Sequence, residues 1–254
     1  MAYLGANDKF NPDQFGAAVV GIASLLGNHD SGLHQHQMGQ LLFAKKGCIR
    51  ISLDGLLCLL PSSRAAWIPP GVKHRAEMRQ VVDYRSLYFD LGQFPVLPGK
   101  VQVIEVNPLL RAVLERLAMA DFDTDWQQAR HANLLSVCIE EINQAKQEPL
   151  LLVFPLDRRV SCLQENLEQL PLALHLFAQQ IAASEKTISR IFQRETGMSY
   201  QEWRQQWRLL RAVEMLAENG KLSETASALG FASDSAFIAF FKSRTGKTPR
   251  VYLS

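Results

Sequence analysis

Cysteine is scarce in this chain and is never paired at short range. The four residues, Cys48, Cys58, Cys138 and Cys162, form no C-x-x-C unit. That argues against a disulfide framework and a cysteine-rich zinc site, and the thiols read as the reduced ones of a cytoplasmic protein. Long apolar runs are missing too. No stretch approaches the ~18 residues needed to span a bilayer, so no membrane partner is expected. Residues 1–10 lack a basic region followed by an apolar run, so no signal peptide is expected. Nor is there an excess of one charge. Formal net charge is +2. Residues 1–159 carry 16 basic and 16 acidic side chains, and residues 160–254 carry 11 and 9. This is a weak bias towards a polyanion, so any case for nucleic acid must rest on pattern.

What is there is enough for a substantial core. Nearly half of the 254 residues are apolar, and the length suits one large domain or two ordinary ones. Up to about residue 106 the pattern is one of short β segments, at 40–44, 48–53, 56–60, 65–68, 74–78, 85–89 and 101–106. Turn signals separate them, such as Lys46 with Gly47, Asp54 with Gly55, and Pro69, Pro70 and Gly71. Many short strands between such turns predict a small barrel or jelly roll. Asn107 and Pro108 then suit the start of a helix over 109–119. A second helix fits 124–146, where Leu135, Cys138, Ile139 and Ile142 recur at helical spacing. This stripe packs either on its own domain or on a partner subunit, with Leu135, Ile139 and Ile142 as the dimer face in the second case. Residues 148–159 contain Pro149 and Pro155 and read as a linker. The expectation is an α+β multidomain chain. It has a sensor barrel over 1–106, a helical dimerisation or packing segment over 107–147, and an all-α domain over 160–254.

That last domain repeats itself. The string FQRETGMS at 192–199 matches FKSRTGKT at 241–248, and FAQQIA at 177–182 matches TASALG at 225–230. A unit used twice at a shared spacing is one supersecondary motif. Here it fits helix-turn-helix, over about 172–195 and 222–244. Small Ala178 and Ala226 face a partner helix, and the turns fall around Ala182 and Gly230. Ser184 caps one reading helix, and Ser233 or Asp234 the other. Ile188, Ile191 and Phe192, like Phe237, Phe240 and Phe241, anchor the inner face and leave the outer face polar. A longer helix joins the units, capped by Ser199 and ended by Asn219 and Gly220. Its stripe of Trp203, Trp207, Leu210, Val213 and Leu216 is core. About twenty residues would span ~30 Å, close to the ~34 Å of one DNA turn.

Over residues 158–254 the chain resembles the DNA-binding domain of AraC/XylS-type transcription regulators. The features that carry this are the two motifs, Gly230 with Phe231, and FFKSRTGKTPRVY at 240–252. The resemblance implies binding to double-stranded promoter DNA. Glu185, Lys186, Ser189 and Arg190 fall on the outer side of the first reading helix. Arg190 suits a bidentate contact to guanine, Lys186 a base or phosphate, and Glu185 a cytosine amino group or the helix N-terminus. The second helix offers Asp234, Ser235, Ile238 and Lys242. Ala239 stands where Arg190 stands in the first copy, a departure from family members with a long polar residue there. Most sequence specificity is therefore expected from the first unit, with the second holding phosphates through Lys242, Arg244 and Lys247.

In the N-terminal part, His34 and His36 flank one residue just before a β run, and residues i and i+2 of an extended segment share a face. Gln40 follows, and His74 lies on a later strand. Residues 30–90 resemble the two motifs of the cupin barrel, a common partner of the AraC-type domain. The resemblance implies a divalent metal held by His34, His36 and His74, departing at Gln40 where metal cupins usually carry Glu. Three readings stay open. One is a metal on three histidines with Gln40 optional, one a metal-free effector pocket, and one histidines without a ligand. His29, His131 and His175 are isolated. Trp67, Arg50, Tyr84 and Tyr88 receive no role from alternation alone.

The leading reading is a regulator, not an enzyme. Its barrel senses a small molecule or metal, and it acts as a homodimer on promoter DNA, with RNA polymerase as a further partner of an activator. The alternatives are a metal-dependent cupin dioxygenase or isomerase, with Glu77 or Asp90 as its only acid–base groups, and a ligand-independent dimeric DNA-binding protein.

Overall fold

The computed structural model describes Gly5, residues 10–218 and residues 220–253. The chain divides into two compact units. Of the described residues, the first comprises those up to 53 and from 60 to 149, the second those from 54 to 59 and from 150 onwards.

The first unit is built on an antiparallel sheet. Its strands are β1 (Val19–Leu26), β3 (Gly39–Lys46), β6 (Arg64–Ile68), β8 (Val82–Phe89) and β9 (Gln102–Glu105), in the order β1-β8-β3-β6-β9. A second antiparallel sheet gives this unit β2 (His29–Asp30), β4 (Cys48–Leu53) and β7 (His74–Met78), with β7 pairing to both β2 and β4. The two-sheet jelly-roll layout is as expected, but the closed barrel is not. Among the described residues β1 and β9 remain edges of their sheet, and no ladder joins that sheet to β2, β4 or β7. Stacking two sheets buries their inner faces without the strand tilt and stagger that closure demands.

Alternation along the first sheet decides what each face does. Leu41, Phe43, Leu87, Phe89, Ala65 and Trp67 point into a core shared with α1 (Pro108–Ala118) and α2 (Ala129–Gln144). Asn107 caps α1 through the Leu110 amide, with Pro108 in the first turn. The end of α1 lies against β1, where a side chain on Gly21 would come within 2.4 Å of the Leu117 carbonyl oxygen. On α2, Leu135, Cys138 and Ile142 are buried in this same core and Ile139 packs against it. The proposed dimer face is thus occupied by the chain's own sheet and α1. The outer face of α2, with Asn133, Val137, Glu140 and Gln144 exposed, is mostly polar.

Residues 148–159, most of them in the second unit, are not an open linker. They contain β10 (Leu151–Val153), which pairs with β5 (Leu56–Pro61) through Leu151 to Cys58 and Val153 to Leu56. A short helix α3 (Cys162–Glu165) follows. Then come α4 (Leu174–Gln180), α5 (Glu185–Thr196), α6 (Tyr200–Ala217), α7 (Leu222–Ala228), α8 (Asp234–Thr245) and α9 (Pro249–Leu253). Ser199 and Glu202 form a capping box on α6. Gly220 donates its amide to the Met215 carbonyl at the other end, while Asn219 lies outside the described residues. No described helix is long and apolar enough to cross a membrane.

The two helix pairs are built alike down to single hydrogen bonds. Ala183 N–H donates to the Ala178 carbonyl and Phe231 N–H to the Ala226 carbonyl, each at 3.0 Å. Both turns need a left-handed residue, which is Gly230 at φ 73° in one and Ala182 at φ 50° in the other. A Cβ in that region is strained by ~1–2 kcal/mol, of which glycine's looser unfolded chain would return ~0.4–1. Ala182→Gly should therefore stabilise the second unit by about 0.5–1 kcal/mol. Urea denaturation checks this, and a destabilised variant would contradict it.

Candidate functional site

The outer faces of α5 and α8 carry the residues that pattern assigned to DNA. On α5, Ile188, Ile191 and Phe192 are buried, which turns Glu185, Lys186 and Arg190 out to solvent. Ser189 is half-buried and its hydroxyl donates to the Glu185 carbonyl at 2.8 Å. Ser184 caps the helix by accepting from the Thr187 amide. On α8 the cap is Ser233, accepting from Ala236, so Asp234 lies in the first turn. Phe237 and Phe241 are buried, Phe240 and Ile238 half-buried, and Asp234, Ser235, Ala239 and Lys242 exposed. Both helices end on a left-handed glycine, Gly197 and Gly246. The connecting α6 has 18 residues, or about 27 Å.

The aromatic cluster beneath α5 fixes its position. Phe177 stacks on Tyr200 at 5.4 Å, and Phe192 meets Tyr200 and Trp203 edge-on. Trp203 donates its indole N–H to the Val153 carbonyl at 2.7 Å, while Gln206 reaches the Leu151 carbonyl at 3.3 Å. The carboxylate of Glu195, on the last turn of α5, accepts from the amides of Leu156 and Asp157. Residues 151–157 thus brace α5, a role that sequence reading as a linker missed.

In the first unit a cavity of about 500 Å³ opens against the inner face of the β1-β8-β3 strands and against β7. His34, His36, Gln40 and His74 all line it, as do Tyr84 and Tyr88. Antiparallel backbone bonds between His34 and His74, at 2.9 Å each way, hold the two segments together, and Gly71 N–H donates to the His36 carbonyl. One ring nitrogen from each histidine falls within 4.8 Å of the others. Each Nδ1 donates to a backbone carbonyl, His34 to Gly32, His36 to Met38 and His74 to Val72. That fixes the tautomer and leaves Nε2 as the lone-pair atom. Nε2 of His74 is buried without a partner among the described residues. Burial pushes the His74 imidazolium down to about 4 and lowers His36 too, so both rings are neutral near pH 7.

Gln40 completes this wall. Its amide nitrogen lies 2.9–3.1 Å from the hydroxyls of Tyr84, Ser86 and Tyr88, which share its two hydrogens. Its carbonyl oxygen faces Nε2 of His36 at 3.2 Å. With the proton on Nδ1 these are two lone pairs, and a shared cation, a second imidazole proton, or a turned Gln40 amide that offers its N–H to His36 makes the approach favourable. Burial opposes the proton. Three imidazole nitrogens and an amide oxygen fit a divalent metal of the zinc, nickel or iron type. Tyr84 and Tyr88 were not assigned from sequence. The i, i+2, i+4 spacing of Tyr84, Ser86 and Tyr88 was the available signal, and their register opposite Gln40 completes it, with Gln40 facing Tyr88. Glu77, which approaches Arg75, and Asp90, which caps the turn at Gly92, do not line the cavity.

Comparison with known proteins finds similar chains. The family model described as a helix-turn-helix domain matches residues 177–254. The HTH-type transcriptional regulator NimR of Escherichia coli (strain K12) is 29% identical over 250 residues, 96% of this chain and 91% of that protein. The HTH-type transcriptional regulator RipA of Corynebacterium glutamicum is 35% identical over 80 residues, 32% of this chain and 24% of that protein. Among solved structures, ToxT from Vibrio cholerae aligns with 93% of this chain and 95% of its own at 12% identity and a TM-score of 0.35. The paired helix-turn-helix units, and relatives named as transcriptional regulators, agree with the resemblance of this chain to AraC-type DNA-binding transcription regulators.

Proposed function

We propose that this regulator is metal-loaded and effector-responsive, with His34, His36 and His74 holding a divalent cation and Gln40 as a fourth ligand. The observation that carries this is the set of three Nδ1–carbonyl bonds, which present three Nε2 lone pairs, one of them buried and unpartnered. A bound metal would supply a fixed positive centre for an effector. The rest of the cavity lies within the ~300–1,000 Å³ range of small-molecule sites. Effector binding regulates only if it favours one arrangement of the protein over another. Arg190, with Glu185, Lys186 and Ser189, reads promoter bases. Asp234, Ser235, Ile238 and Lys242 lie along a second groove, where Lys242 holds phosphate. The functional form in this reading is a cytoplasmic homodimer, since two linked subunits sum their hold on DNA, and RNA polymerase is the further partner if the protein activates.

The test is metal content and affinity of the full chain, by elemental analysis and by calorimetric titration with Co(II) and Zn(II) after chelator treatment. One metal per chain is expected. His74→Ala should lower affinity by more than about a hundredfold, since even outer partners of metal ligands are worth ~10–100-fold. Unchanged affinity in His74→Ala would remove the metal from this reading and leave a hydrogen-bonding pocket.

A further inference from the structure

The cavity has a mixed lining. His34, His36, His74, Gln40, Tyr84 and Tyr88 give it polar groups, while Ile22, Leu26, Leu42, Ala76 and Met78, with Ser24 between the first two, give it apolar surface. Among the described residues neither lysine nor arginine lines it, and its two carboxylates are already engaged. Asp30 is held by the Arg75 guanidinium at 2.5 and 2.7 Å and by the Gly32 amide. Asp13 accepts from the amides of Gln37 and Met38.

A divalent metal on this ligand set keeps its whole charge. Imidazoles bound through Nε2 are neutral, and so is an amide. Gln40 also cannot become anionic, and its amide nitrogen is fixed by three hydroxyls. A double positive charge in a low-dielectric cavity is costly until an anion meets it. We infer that the effector is a small organic carboxylate, its anionic oxygen completing the metal's coordination beside Gln40 and its apolar body lying on Ile22, Leu42 and Met78. This rests on the metal reading above. Gln40 is then the residue that sets charge preference, because a carboxylate there would supply the missing negative charge from within.

The probes are benzoate and 3-phenylpropionate with their matching neutral amides, titrated into the Co(II)-loaded full chain and followed by the cobalt visible spectrum. The carboxylates should bind on the order of a hundredfold more tightly than the amides, given a charge–charge contact at close range. Gln40→Glu should hold Co(II) at least as tightly yet lose about tenfold or more of that preference. Equal binding of acid and amide, or no binding of either, by the wild-type chain overturns the inference while the metal reading stands. The same holds if a folded Gln40→Glu keeps the full preference. If Co(II) does not bind at all, both fall together. The wild-type comparison decides the matter even if the variant fails to fold.

Discussion

Trp203→Ala will cost the second unit about 3–5 kcal/mol of stability, the range for deleting a large buried aromatic side chain. The residue is fully buried. Its ring meets Phe192 of α5 edge-on at 5.3 Å and Phe154 of the brace at 5.5 Å. Its indole N–H satisfies the Val153 carbonyl. Removing the ring opens a cavity between α5, α6 and β10 and leaves a carbonyl without that donor. Because whole domains are stable by only ~5–15 kcal/mol, most of the margin of this unit would go. Trp203→Phe separates the contributions. It keeps most of the packing and loses the hydrogen bond, so about 1–2 kcal/mol is expected. Urea denaturation followed by far-UV circular dichroism measures both. A loss below ~1 kcal/mol in Trp203→Ala would show that β10 and Phe154 do not brace the first helix pair.

Arg190→Ala is expected to cost about 1–3 kcal/mol of operator binding, the worth of a bidentate arginine–guanine pair. It should also relax base preference at one position. The prediction follows from α5, where burial of Ile188, Ile191 and Phe192 turns Arg190 outward. Lys242→Ala on α8 provides the contrast. A phosphate contact carries no base information, so its loss should weaken all sequences alike and lower the salt slope by about one. Ala239 occupies the position in α8 that matches Arg190, which is why the two helices are expected to differ. The measurement is a selection of binding sites from random DNA by the full chain, followed by salt-dependent titration of wild type and both variants. If Arg190→Ala lost affinity evenly over all sequences, the arginine would be a phosphate contact and base readout would lie elsewhere.

The sequence was informative wherever a local rule and the final environment agreed. The paired motifs at 192–199 and 241–248, the caps Ser184 and Ser199, and the anchors Ile188, Phe192, Phe237 and Phe241 all obey helical spacing and short-range capping. These are set by residues three or four apart. The histidines were legible for a similar reason, since residue type and spacing alone bring His34 and His36 together, and a turn rich in proline and glycine returns His74 to them. The amide at position 40, on which the effector inference turns, is likewise a fact of sequence.

Tertiary structure decided the rest. β1 was not foreseen because nearly all of it, from residue 19 to residue 24, is buried on both sides, against α1 and against the cavity. A strand covered on both faces shows no polar alternation. β10 has only three residues, between Pro149 and Pro155, and owes its existence to pairing with β5, nearly a hundred residues earlier in the chain. The stripe of α2 is the converse case. Its spacing announced an apolar face but not what would cover it, and the choice fell to the sheet and α1. Periodicity records that a side chain is removed from water, whereas the identity of the covering surface depends on contacts between residues far apart in sequence.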